Sequence, residues 1–182
     1  MAQKFDPNRS PEGLPHRKIG ESFLFHNGKI VAQKKVNGTN GAVYLYMPGG
    51  GIDEGEDVLK GTKRELKEEL GAILTGKLAP ISVCHWDWHP SWADNDKRRG
   101  RYMQFRGEEN HFFVGEVKRF KRATSTEGDA WKGTKTMAIS SALRVLEESI
   151  DQIKVRDSYY YYNLSKYNIL KSLYLGSRMF GS

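Results

Sequence analysis

The chain has 182 residues, 38% of them hydrophobic, and carries 29 Lys and Arg against 22 Asp and Glu, a net charge of +7. That length suits one domain with its own core, and no run approaches the roughly 18 apolar residues of a membrane-spanning helix. One cysteine, Cys84, excludes an intrachain disulfide.

Residues 1–20 are polar, contain Pro7, Pro11 and Pro15, and lack the apolar stretch of a secretory signal. They read as a flexible arm on a cytoplasmic protein, with residues 21–182 as a single domain. A hairpin follows, Phe23–Phe25 and Ile30–Lys34 around Asn27-Gly28, a pair suited to a type I′ turn. Asn37-Gly38 and Asn40-Gly41 mark a second loop. Val43–Met47 reads as a strand that runs into Pro48-Gly49-Gly50-Gly51, where regular structure stops.

Asp57–Leu70 reads as a helix with Leu59, Leu66 and Leu70 on one side and Gly71 at its C-terminal cap. Ile81–Trp88 is a predicted strand, His89–Glu109 a long polar loop, and His111–Val117 a second apolar strand. Thr124–Lys135 reads as loop. Leu143, Leu146, Ile150 and Ile153 recur at helical spacing. The Tyr- and Leu-bearing stretch up to Phe180 reads as a terminal packing helix, which could also serve a dimer contact. Strands mixed with helices in one small domain predict an α/β or α+β sandwich.

The chemistry concentrates between Gly50 and Ala72. At about 100° per residue, Glu65, Glu68 and Glu69 fall within about 100° of one another on the helix. Like charges so placed repel. A hard divalent cation, Mg²⁺ or Mn²⁺, reverses the sign of that interaction. The glycines before the helix let the backbone approach a phosphate closely. A solvated helix explains the same residues through the i,i+4 pairs Glu56–Lys60 and Arg64–Glu68. The spacing separates the two readings. Gly50, five residues, Glu56, seven residues, Arg64-Glu65-Leu66, one residue, Glu68-Glu69, one residue, Gly71-Ala72 resembles the Nudix box of the Nudix hydrolase superfamily. All seven fixed residue types are present, a coincidence on the order of 10⁻⁹ at average usage. Ala72 stands where a larger aliphatic residue is usual, and Ile73 follows it.

That resemblance covers 23 of the 182 residues. It implies an α/β/α sandwich with a mixed sheet, and hydrolysis of a pyrophosphate bond in a nucleoside diphosphate linked to another group. It also implies Mg²⁺ or Mn²⁺ held by Glu56, Glu65, Glu68, Glu69 and the Gly49 carbonyl. Glu65 is then the candidate to orient or deprotonate the attacking water, Arg64 holds Glu65, and Gly50 permits the turn. Many members add an acid from a later loop. Glu127 and Asp129 are best placed here, with Glu108 and Glu109 as runners-up.

Outside the box, Trp86, Trp88 and Trp92 are candidates to stack on a base or to pack internally. His85, Asp87 and His89 alternate, so on a strand they would share a face and could in principle hold a metal. The basic segment Lys97–Arg106, with Arg99 and Arg101, could cover the site and contact phosphates. Lys118, Arg119, Lys121 and Arg122 form a second basic run. Three functions follow: a pyrophosphohydrolase of small nucleotides (nucleoside triphosphates, ADP-ribose, nucleotide sugars), an enzyme acting on the 5′ end of RNA, or a silent nucleotide- or RNA-binding domain. The positive charge suits a polyanion, and the intact acids argue against the third. The added patterns of ADP-ribose, dinucleoside polyphosphate, NADH and coenzyme A hydrolases are absent, so the substrate stays open. A monomer and a homodimer both fit.

Overall fold

The computed structural model describes residues 6, 8, 10–37, 41–124 and 131–179. Its strands are β1 (His16–His26), β2 (Lys29–Val31), β3 (Gln33–Val36), β4 (Val43–Tyr46), β5 (Gly49–Gly51), β6 (Ala72–Leu74), β7 (Ala79–Asp87), β8 (Gly107–Phe120) and β9 (Thr136–Met137). The helices are α1 (Val58–Leu70), α2 (Asp96–Gln104), α3 (Ile139–Asp151) and α4 (Ser158–Met179).

The hairpin forms as its turn residues require. Asn27 and Gly28 adopt φ of 50° and 72°, the two positive values of a type I′ turn, and Phe25 pairs with Ile30. β1 then becomes the centre of a mixed seven-stranded sheet. One side of it carries β2 and β5, both antiparallel. The other pairs in parallel with β8, from His16↔Gly107 to Phe25↔Glu116. β8 in turn carries β7 and β6 on its far side. β3 and β4 form a separate two-stranded sheet.

Both faces of the main sheet are covered, so neighbouring residues of one strand enter different cores. Phe23 and Phe112 join Ile30, Leu45, Leu146 and Leu170 on the side of α3 and α4. Leu24 and Phe113 join Leu66, Leu70, Leu78 and Val117 on the side of α1. This is the α/β/α sandwich the sequence predicted. The α3–α4 side also contains charge. Lys166 of α4 reaches Glu21 of β1 at 2.7 Å, with both side chains under a tenth exposed. Tyr162 donates to the same carboxylate at 2.6 Å, and Lys166 donates to the Leu45 carbonyl at 3.2 Å.

Two sequence expectations need correction. Residues 16–20, expected in the arm, already belong to β1, because the parallel partner β8 supplies their hydrogen bonds from His16 onward. The segment 89–109, expected as loop, holds a short 3₁₀ turn, Pro90–Trp92, then α2 and the start of β8. Its polar sequence concealed an aromatic anchor: Trp88, Ala93 and Tyr102 are buried together with Trp86. Asn95 caps α2 by accepting from the Arg98 N–H at 3.0 Å. No helix among the described residues is long and apolar enough to cross a membrane.

Two measurements test this framework. Lys166→Ala leaves Glu21 as an uncompensated buried charge, so urea unfolding should show a loss of about 3–5 kcal/mol. Arg106 and His16 grip the Asp87 carboxylate at 2.8–3.0 Å. The Arg106 bonds first, then His16, hold its pKa below the usual carboxylate value. The stability this provides is present above the unfolded value of about 3.9 and is lost as pH falls through the lower folded value. Asp87→Asn should therefore lose less stability than the wild type on acidification below about pH 4, measured as the shift of the urea midpoint.

Candidate active site

β4 leads through Met47-Pro48 into β5, which is fixed at its entry by the Ser22 N–H donating to the Pro48 carbonyl at 2.8 Å. Gly50 lies opposite Gly20 of β1, and α1 packs directly over both. A Cβ on Gly20 would stand 1.8 Å from Thr62 Oγ1, and one on Gly50 would stand 2.5 Å from the Glu65 carboxyl carbon. The missing side chains let the helix and its acids lie against the backbone of the glycine strand.

α1 starts at Asp57, whose side chain accepts from the Lys60 N–H, and ends at Gly71 with φ of 69°. Arg64 sits at its centre and organises the acids. Its Nε and Nη2 donate to the two oxygens of Glu56 at 3.1 and 2.9 Å. Nη1 donates to Glu65 at 2.8 Å and to Glu68 at 3.3 Å. Nη2 also reaches the Gly51 carbonyl at 3.3 Å and lies 3.4 Å from Asp53. The forked guanidinium suits such planar, divided bonding. The Glu56 bonds, with Glu65 behind them, raise the Arg64 pKa further, and the same Arg64 bonds lower that of Glu56.

The structure thus gathers Arg64, Glu56, Glu65 and Glu68 as expected, and adds Asp53, which the sequence reading passed over. Glu56 turns to Arg64 instead of Lys60, an eight-residue contact across the helix start. Glu69 continues the same arc, half-buried, and Gly49 opens β5 opposite Glu21. The donor set is hard carboxylate oxygen, the chemistry that suits Mg²⁺ or Mn²⁺. Among the described residues no three acid side chains surround a common ion position, because Arg64 takes their oxygens. Holding a cation requires Glu65 and Glu68 to turn from the guanidinium.

The remaining candidates are dispersed. Glu127 and Asp129 lie outside the described residues. Glu108 and Glu109, neighbours on β8, face opposite sides of the sheet. Glu109 lies 3.2 Å from His85 and 2.6 Å from His111, while Glu108 accepts from the Trp86 indole at 3.2 Å. Trp88 stacks on Trp92 at 3.7 Å, and Trp86 packs against Tyr159 and Tyr162. Trp86 and Trp88 are both buried. His85 and Asp87 share a face, but their partners are Glu109, His16 and Arg106; His89 leaves the strand and accepts from the Ser91 N–H. Cys84 is half-buried, and burial raises its thiol pKa. On α2, Arg99 pairs with Asp96 at 3.2 Å, and Arg101 turns toward Arg17, lowering the Arg17 pKa that burial already depresses. Arg17 is the residue sequence reading missed. Its signal was a charged side chain alternating with Ile19, Glu21 and Phe23 on a strand face that is otherwise core.

The NUDIX domain model matches residues 19–153. An RNA pyrophosphohydrolase of Afipia carboxidovorans is 34% identical over 111 residues, 57% of this chain and 63% of that protein, so the match spans just under two thirds of that relative. One of Acidiphilium cryptum is 26% identical over 79% of this chain and 90% of its own length. Among solved structures, a NUDIX hydrolase from Nitrosomonas europaea shares the fold at a TM-score of 0.53 and 14% identity, covering 85% of this chain and 89% of its own. An ADP compounds hydrolase does so at 0.51 and 15%, covering 85% and 74%. With the box intact on α1 and the family model matching most of the chain, the protein belongs to the Nudix hydrolase family.

Proposed function

We propose that this chain is a divalent-metal-dependent pyrophosphohydrolase that cleaves a phosphoanhydride bond of a nucleoside diphosphate linked to a further group, and that the 5′-triphosphate end of RNA is its substrate. One observation carries the reaction class: Glu56, Glu65 and Glu68 converge within 2.8–3.3 Å of a single guanidinium beside the glycine strand. The RNA substrate is supported by the names of the relatives and by the net charge of +7. Small nucleotides are the competing substrates.

The residues divide the work. Glu56, Glu65, Glu68 and Glu69, with the Gly49 carbonyl, are the groups to hold Mg²⁺ or Mn²⁺. The cation, when bound, neutralises phosphate charge and acidifies water. Glu65, only 15% exposed in its side chain, lies over Gly50 and is oriented by Arg64 at 2.8 Å. It accepts the proton of the attacking water as the water oxygen bonds to phosphorus and the anhydride oxygen departs with the leaving phosphate. Arg64 is a positioning residue, since it acts through the carboxylates. Arg101 lies where it can meet phosphate oxygens near Arg17.

Incubation of 5′-triphosphate RNA with the protein and Mg²⁺ should yield 5′-monophosphate RNA and pyrophosphate. Glu65→Gln should lower kcat by about 10²–10⁴ with KM little changed, the range for a lost general base. Turnover retained in Glu65→Gln removes it from the mechanism. Salt separates the substrates. With a slope of about 0.7 per phosphate contact, three contacts along a single strand raise KM on the order of tenfold between 50 and 200 mM salt. A parallel GTP measurement should move much less, and equal movement would mean that only the triphosphate is bound.

A further inference from the structure

Across the sheet from α1, β1 and β8 present paired residues to the α4 side: Arg17 with Glu108, Ile19 with Asn110, Glu21 with Phe112. Four of these six are polar or charged on a face that a helix covers. Lys166 and Tyr162 satisfy Glu21. Asn110 has no such account. It is 1% exposed, and neither its Oδ1 nor its Nδ2 has a hydrogen-bond partner. Leaving such a group unmatched costs about 1–3 kcal/mol.

Glu108 stands two residues away on the same face. Its close partner is the Trp86 indole N–H at 3.2 Å, with the Asn110 amide next nearest. Burial raises its carboxyl pKa to about 7. Yet Glu108 keeps part of its surface open to solvent, as do Arg17, Tyr44 and Tyr159. A group so enclosed and still wet lies at the bottom of a crevice, here between the sheet, β4 and α4. The groups whose charge bears on that crevice are Arg17 and Glu21 of β1, Tyr44 of β4, Arg101 of α2, and Tyr159, Tyr162 and Lys166 of α4.

Arg17 joins the crevice to the acid cluster. Its guanidinium lies over Gly51, 1.8 Å from where a Cβ would stand. Its charged neighbours are Arg101, Glu108, Glu65 and Asp53. One residue therefore senses the α1 acids on one side of the glycine strand and Glu108 on the other. A ligand with its phosphates at α1 would carry its nucleoside past Arg17 into the crevice.

The polar groups select among bases. An ionised carboxylate accepts two hydrogen bonds side by side, and an amide NH₂ donates beside it. Guanine offers the matching edge: N1–H and N2–H as adjacent donors, then O6 as acceptor. Adenine would turn the N1 lone pair toward the carboxylate. Resting on the reading above that the substrate is a nucleotide, we propose that this crevice takes a guanine base, with Glu108 accepting from N1–H and N2–H and the Asn110 amide donating to O6.

Binding without turnover tests it. Titrations of the full chain with GMP, IMP and AMP in EDTA at pH 8 are followed by calorimetry. GMP should bind more tightly than AMP by about tenfold or more, the size of one bidentate contact. IMP, which lacks the 2-amino group, should fall between. Glu108→Gln neutralises a buried carboxyl, so the fold is retained, and the GMP preference should shrink to about twofold or less, since the bidentate contact is gone. Asn110→Ala should weaken GMP and IMP by the same factor, because both carry O6. Equal binding of GMP and AMP, no GMP binding at millimolar concentration, or a preference that survives Glu108→Gln would overturn the proposal. Cleavage of 5′-triphosphate RNA is scored separately. Turnover without a base preference in EDTA removes the subsite and leaves the activity. A guanine preference without turnover does the reverse.

Discussion

Everything in this molecule is hung on the parallel pairing of β1 with β8, ten residues long and central to the sheet. Parallel strands need a long connection, and the chain between them supplies β2 to β7 together with α1 and α2. With both strands central, both of their faces must be covered. Phe23 and Leu24, or Phe112 and Phe113, are sequence neighbours that divide between the two cores. This division places the acid-bearing helix on one face and the tyrosine-rich terminal helix on the other.

The glycine strand gives the sheet its chemistry. Gly50 sits under Glu65 on one side and Gly51 under Arg17 on the other, each occupying the space a Cβ would need. A three-residue strand thereby brings the charged groups of both faces to its edge. Charge repulsion among the acids is held in check by Arg64, which touches Glu56, Glu65, Glu68 and Asp53. The arginine performs in the resting protein the neutralisation that a divalent cation performs in the proposed reaction. The acids are held together before any cation arrives, which lowers the reorganisation that binding demands.

The α4 side of the sheet follows a different logic. Glu21, Lys166 and Tyr162 form a closed set in which the charges are matched. Such a set ties the terminal helix to the central strand and to β4 with directional bonds, where apolar packing alone would leave the helix freer to slide. Glu108 and Asn110 lie on the same face without that closure. A protein interior tolerates an unmatched amide only where some other gain offsets it, and that contrast within one face separates binding from scaffolding.

The sequence by itself determined the local and covalently spaced features. The Asn27-Gly28 turn, the extent of α1 with Asp57 and Gly71 at its ends, and the grouping of Glu65, Glu68 and Arg64 all depend on backbone geometry over one to eight residues. So did the reaction class, because the box is a spacing pattern on one loop and one helix. Only the tertiary structure decided what depends on distant strands. It drew His16–Gly20 into β1 through pairing with β8, and ordered the polar segment 96–104 as a helix through Trp88 and Tyr102 beneath it. It turned Glu108 and Glu109 to opposite faces and buried Trp86 and Trp88 among protein rings. It also set Arg17 against Gly51, thirty-four residues away. The physical reason is range: turn, cap and helix-face energies are fixed by neighbours in the chain, whereas burial and strand register are properties of what the chain meets after it folds.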